Sequence, residues 1–184
     1  MLNREQRKAL LEIARKSISD VLGGRRPAID EATLDAELKR LSGAFVTLRT
    51  RDGELRGCIG SIHPVAPLHQ SVSSSAINAA FRDPRFNPVR AGEIDELVVE
   101  ISVMGPIEQV KNTEEIVVGR DGLIVSNARS AGLLLPQVAT EYGWDREAFL
   151  QHTCVKAGLP PDMWRSKDCR IEKFSAEVFG EDEL

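Results

Sequence analysis

The chain has 184 residues, with 28 acidic against 24 basic side chains and a formal charge of -4. That balance argues against a dedicated nucleic-acid surface, which carries an excess of Lys and Arg. At this length folding buries roughly 70% of the unfolded chain's surface, so a core can form without a disulfide or metal staple. Cys58, Cys154 and Cys169 are the three cysteines, and with no Cys-x-x-Cys spacing they suggest neither a disulfide framework nor a zinc ribbon. Met1 to Asp20 alternates charge with apolar residues and has no leader-like run. No window approaches the roughly 20 apolar residues of a membrane span, so a cytoplasmic protein with no membrane partner is expected.

Ala9, Leu10, Ile13, Ala14, Ile18 and Val21 follow a 3.6-residue period and predict an amphipathic helix over Leu2 to Leu22, stopped by Gly23-Gly24. Arg25 to Pro27 reads as a linker and Asp30 to Leu41 as a weakly helical approach. Ala44 to Thr50 and Glu54 to Gly60 are extended, and Asp52-Gly53 between them supplies a hairpin turn. After Pro64 and Pro67, the stretch Leu68 to Phe81 lines Leu68, Val72, Ala76, Ala79 and Ala80 along one helical face and ends before Asp83-Pro84. Leu97 to Met104 is the clearest strand, and Gly105-Pro106 predicts a turn before a second extended piece to Val110. Asn112 to Glu115 reads as a capped turn, Gly122 to Val125 and Ala131 to Leu134 as short strands. Gln137 to Tyr142 and Arg146 to Gly158 read as helices, and Arg170 to Phe179 as a last strand. Strands and helices mix without a regular βαβ repeat, which predicts an α+β class with mixed or antiparallel sheets and packed helices.

Three segments carry a likeness: Phe45-Val46-Thr47-Leu48, then Leu55-Arg56-Gly57-Cys58-Ile59-Gly60, then Asp83-Pro84-Arg85-Phe86-x-Pro88-Val89. Together they resemble the AMMECR domain family, whose prokaryotic members are called AmmeMemoRadiSam system protein A. The resemblance continues through Val99-Glu100-Ile101-Ser102-Val103, Gly132 to Ala139, Lys156-Ala157-Gly158-Leu159 and Trp164, nearly the whole chain. It implies one compact AMMECR-type domain over 1-184, with a larger lobe from both terminal parts and a smaller lobe from the middle. It places the Leu55 to Gly60 motif near a groove between them. It also implies Memo-like and radical S-adenosylmethionine proteins as partners in a modification pathway. It brings no agreed activity, and therefore no catalytic residues to transfer.

Chemistry must then be read from the residues. On an extended Leu55 to Gly60 the period of two puts Arg56 and Cys58 on one face, and a cation beside an ordinary thiol raises its thiolate fraction from roughly 3% at pH 7. Cys58 is thus a candidate nucleophile, weighed against a small buried cysteine between glycines that allow close backbone approach. Cys154 and Cys169 read as packing residues. His63, His69 and His152 have no metal-ligand spacing, so no metal is expected, nor any cofactor; His63, five residues past Cys58, is either a surface loop histidine or its base.

In Leu97 to Met104, residues 97, 99, 101 and 103 face one way and Val98, Glu100, Ser102 and Met104 the other, which puts a carboxylate in mid-strand. Glu100 then sits at a solvent edge or is paired, with Arg56 or Arg85 as available cations, and Arg56 and Glu100 are expected to share one polar site. Asp83 to Phe86 predicts a turn in which Asp83 accepts backbone hydrogen bonds and Phe86 anchors the loop. Gly119 to Gly122 reads as a turn rather than a phosphate loop. The expected function is an accessory component that binds an unknown small molecule or partner through Arg56, Gly57, Cys58, Gly60, Arg85, Glu100 and Ser102. The alternative is an enzyme, a transferase or hydrolase with Cys58 as nucleophile or Glu100 as general base. The sequence sets no homo-oligomeric state.

Overall fold

The computed structural model describes residues 1-183. The chain is α+β, and it divides into two units, Met1–Met104 with the C-terminal stretch from Glu177, and Gly105–Ala176.

The first unit opens with α1 (Arg4–Leu22). Asn3 caps it by accepting from the Gln6 amide, and Gln6 answers through the Asn3 amide, a reciprocal capping box. The predicted periodicity is realised: Leu10, Ala14 and Ile18 are buried along one face. Between Asp30 and Arg40 the weakly helical stretch forms two short 3-10 turns. The hairpin of β1 (Ala44–Thr50) and β2 (Leu55–Ser61) turns at Gly53, whose φ of +85 suits glycine. β1 pairs antiparallel with β2 on one side and with the start of β3 (Leu97–Gln109) on the other. Ala44, Val46 and Leu48 alternate toward the core, joined by Val99, Ile101 and Val103. Against that face lies α2 (Leu68–Phe81), whose small residues Ala76, Ala79 and Ala80 let it approach closely; buried hydroxyls of Ser17 and Ser73 meet at 2.7 Å to join it to α1.

Arg15 ties the C-terminal stretch into this unit. Its Nε and Nη2 donate to Glu181 at 2.6 Å, Nη1 to the Ile94 carbonyl at 2.9 Å and Nη2 to the Leu97 carbonyl at 2.7 Å, while Glu181 also accepts from the Val99 amide at 2.9 Å. The Glu181 carboxylate raises the Arg15 guanidinium above its ordinary value.

In the second unit, β4 (Asp121–Ser126) pairs antiparallel with β5 (Ala131–Leu134) and with β6 (Arg170–Gly180). Next come α3 (Pro136–Glu141) and α4 (Arg146–Lys156); Phe149 and Leu150 of α4 form a core with Ile116, Leu123, Ala139 and Ile171. Cys154 is fully buried on α4, and burial pushes its thiol up; Cys169 is half-buried and shifted the same way.

One element corrects the reading of the sequence. Gly105-Pro106 does not turn; β3 runs without interruption from Leu97 to Gln109. A Cβ on Gly105 would fall 2.1 Å from Ser175 Oγ, so that glycine serves a close strand approach, and exposed Pro106 fits an extended backbone that does not require its missing N–H. No helix among the described residues is long and apolar enough to cross a membrane.

Candidate functional site

Residues paired directly across an antiparallel ladder project from the same face. Thr47 stands between Cys58 on β2 and Glu100 on β3, and Phe45 between Gly60 and Ser102. The face opposite α2 therefore carries Phe45, Thr47 and Arg49 flanked by Cys58 and Gly60 on one side and Glu100 and Ser102 on the other. Gly60 is a seat for Phe45, since a Cβ there would sit 2.5 Å from the ring's Cγ. Gly57, one residue before Cys58, points the other way, toward α2.

The thiol of Cys58 is half-buried and receives a hydrogen bond from Thr47 Oγ1 at 3.2 Å. Because β2 is the outer strand of this sheet, the Cys58 peptide groups look away from β1, and the loop after α2 satisfies them. Asp83 Oδ2 accepts from the Cys58 amide at 2.9 Å, and the Cys58 carbonyl accepts from Arg85 Nη2 at 3.3 Å. Asp83 also accepts from the Arg85 amide at 3.1 Å, from its Nε at 2.9 Å and from its Nη2 at 2.7 Å. With its side chain 1% exposed, the carboxyl would suffer from desolvation, yet the Arg85 guanidinium, aided by the two amides, holds it far below the usual carboxylate range. The same contact raises the Arg85 guanidinium. The Asp-Pro-Arg-Phe segment thus blunts a sheet edge with a charge-assisted clasp. Asp83 takes backbone donors as expected, and Phe86 is partly buried beneath the Arg85 guanidinium, 5.5 Å from its ring centroid.

Arg56 departs from the expectation. Leu48 faces Gly57 while Arg49 faces Leu55, so Arg56 is the extra residue of a β-bulge. Its side chain, 15% exposed, reaches Glu93 on the 3-10 turn before β3, with Nε and Nη2 contacts of 3.2 to 3.3 Å. Glu93 is held below its ordinary range by the Arg90 amide at 2.6 Å and by Arg56. Glu100 faces Arg49 instead, Nε to Oε2 at 4.0 Å, with both side chains about one-third exposed. The expected Arg56–Glu100 site is therefore two separate pairs, and Arg85 rather than Arg56 is the cation that reaches Cys58. His63 is an exposed loop residue. Among the described residues no three His, Cys, Asp or Glu side chains gather as metal ligands would.

Two outcomes follow from this geometry. Arg56→Met and Glu100→Gln should lose stability additively, within about 0.5 kcal/mol in urea denaturation, because they share no partner; a larger coupling would contradict the separation. Peptide-resolved alkylation should modify Cys58 before Cys169 and about tenfold faster than Cys154, since burial disfavours the thiolates of the latter two. Equal rates at all three would show that exposure and burial do not order them.

Asp83, Thr47, Arg49 and Glu93 are the residues that sequence reasoning left unassigned to the site. Only Asp83 carried a local signal, its place before proline; the others are brought in by register and by a bulge.

A six-stranded antiparallel sheet whose β2, β1 and β3 strands are backed by two helices, with β2 as a glycine-rich edge strand, defines the class as an α+β domain built around a Leu-Arg-Gly-Cys-Ile-Gly strand. The AMMECR1 family matches residues 11–179, and the chain belongs to that family. Protein MJ0810 of Methanocaldococcus jannaschii is 44% identical over 98% of this chain and 92% of its own. A Methanothermobacter thermautotrophicus protein is 45% identical over 98% of this chain and 97% of its own. The crystal structure of uncharacterised protein PH0010 from Pyrococcus horikoshii superposes with a TM-score of 0.92 at 43% identity, covering 98% of this chain and 94% of that one.

Proposed function

We propose that this protein is a recognition component of a cytoplasmic modification pathway, acting with Memo-like and radical S-adenosylmethionine proteins, and that it binds a small molecule or partner group through the outer sheet face. The pathway rests on the resemblance of the three motifs. The binding role rests on one observation: the charged groups nearest the motif serve structure or stand half-exposed, and none is arranged as an acid–base dyad. Asp83 and Arg85 clasp the β2 edge, while Arg49 and Glu100 meet at 4.0 Å, Arg49 Nη1 donating as well to the Gly53 carbonyl at 3.3 Å. Loosely held, part-exposed charges of both signs beside an aromatic ring suit recognition of a polar group.

A catalytic reading keeps one observation in its favour, the Thr47 hydroxyl donating to Cys58 Sγ, which stabilises charge on sulfur. It lacks a base: a hydroxyl does not take a thiol proton near neutral pH. Pull-down from cell extract with the wild-type chain and with the Arg49→Met/Glu100→Gln double variant separates the outcomes. Retention of a specific protein or metabolite by the wild type alone supports recognition, and equal retention by both removes it.

A further inference from the structure

Beside the motif, the first unit holds an open groove of about 500 Å³ whose lining includes Arg56, Arg85, Phe86, Arg90 and Glu93. Its volume lies within the range of small-molecule clefts, roughly 300 to 1,000 Å³. Three guanidinium groups face one carboxylate across the lining, and Asp83, clasped to Arg85, adds a second just behind. Three cations against two carboxylates leave one positive charge. Arg56 is incompletely satisfied: its contacts with Glu93 are long at 3.2 to 3.3 Å, and its buried Nη1 has no hydrogen-bond partner among the described residues. Charge-assisted guanidinium–carboxylate bonds settle nearer 2.7 to 2.9 Å, and a buried donor without an acceptor carries a desolvation cost. Glu93 divides its carboxylate between the two arginines, its Oε2 accepting from the Arg90 amide at 2.6 Å and from Arg56 Nη2 at 3.3 Å. Phe86, partly buried with the Arg85 guanidinium over one face of its ring, adds an apolar group to the lining next to these donors.

The geometry points to this groove as a binding site for a small carboxylate-bearing molecule, its carboxylate taken by Arg56 and Arg90 and its apolar body set beside Phe86 and the Arg85 guanidinium that covers it. A guanidinium fork matches a carboxylate bidentately, and one such group cancels the single excess charge. An aromatic face beside a cationic donor favours a flat organic acid over a bare inorganic ion. The assignment goes beyond the recognition reading: it names a ligand class for a lining that contains neither Arg49 nor Glu100.

Titration of the full chain with sodium benzoate, followed by NMR of the arginine side-chain Nε–H signals, tests it, with benzamide as the neutral isostere and phenyl phosphate as the alternative anion. Benzoate should shift the Arg56 and Arg90 signals saturably with a Kd in the millimolar range or tighter, at least about tenfold below that of benzamide. Added salt should weaken it, as should Arg90→Gln, whose exposed side chain makes that variant the safer one to fold, and Arg56→Gln. Absence of saturation, equal affinity for benzamide, or unchanged benzoate binding in folded Arg90→Gln overturns the site. Phenyl phosphate binding about tenfold tighter than benzoate overturns the carboxylate assignment. The two readings fail separately. Loss of the benzoate shift with selective pull-down intact removes only this inference, and an intact shift with no selective pull-down supports it while removing the recognition reading.

Discussion

Replacement of Gly57 by alanine is expected to destabilise the protein by about 3 kcal/mol or more, the upper end of what an added methyl group costs in a packed site. A Cβ at Gly57 would stand 2.2 Å from the Ala79 carbonyl oxygen and 3.1 Å from its carbon. The obstruction is helix backbone, so no side-chain rotation relieves it; α2 must retreat by about 1 Å to restore ordinary van der Waals contact. That retreat would loosen Val72, Ala76 and Ala79, all fully buried against the sheet. Two other glycines separate this steric role from conformational ones. Gly53 has a φ of +85 and nothing within 4 Å of its would-be Cβ, so Gly53→Ala should cost only about 1 kcal/mol, from backbone strain. Gly92 has neither constraint, and Gly92→Ala should be neutral or slightly stabilising. Urea denaturation of the three variants gives the ranking. If Gly57→Ala lost no more than Gly53→Ala, the close approach of α2 to β2 would not be the reason for glycine in the motif.

What the sequence shows well is what depends on local period. The alternation holds from Leu97 to Ile101, because one face of that strand is committed to the core, whereas beyond it Ser102 and Met104 on the other face are buried as well. The small-residue face of Leu68 to Phe81 predicts a closely packed helix for the same reason. What it hides depends on register and on single insertions. A period of two places Arg56 beside Cys58 only if β2 is regular; the bulge at Leu48/Arg49 adds one residue and sends Arg56 to Glu93, 37 positions away. Thr47 looks like one polar residue among apolar ones until pairing sets it between Cys58 and Glu100. Gly105-Pro106 carries the composition of a turn, yet tertiary contact with Ser175 makes it strand. Asp83 is intermediate: its turn is local and legible, whereas its bond to the Cys58 amide joins segments 25 residues apart and requires the edge of β2 to be known first.

That bond underlies the second large effect. Asp83→Ala is expected to cost about 2 to 3 kcal/mol at pH 7, since hydrogen bonds to a charged group are worth more than neutral ones and the Cys58 amide would be left without its acceptor. The figure stays below that for breaking a fully buried ion pair because Arg85 is about half exposed and can return to water when its partner is removed. The pH dependence has a definite sign. Arg85 and two amides hold the folded-state carboxyl far below the ordinary aspartate range, so the folded protein keeps it ionised in acid that protonates the unfolded chain near pH 3.9. The contribution is complete above that pH and is lost as pH falls toward the depressed folded value. Below about pH 4 the wild type should therefore lose roughly 1 kcal/mol more per pH unit than Asp83→Asn, which binds no proton there. Urea denaturation midpoints of both proteins between pH 7 and pH 2.5 measure the difference. Parallel curves would mean that Asp83 titrates alike in the folded and unfolded states, and the clasp on the Cys58 strand would then not be the ionic contact described above.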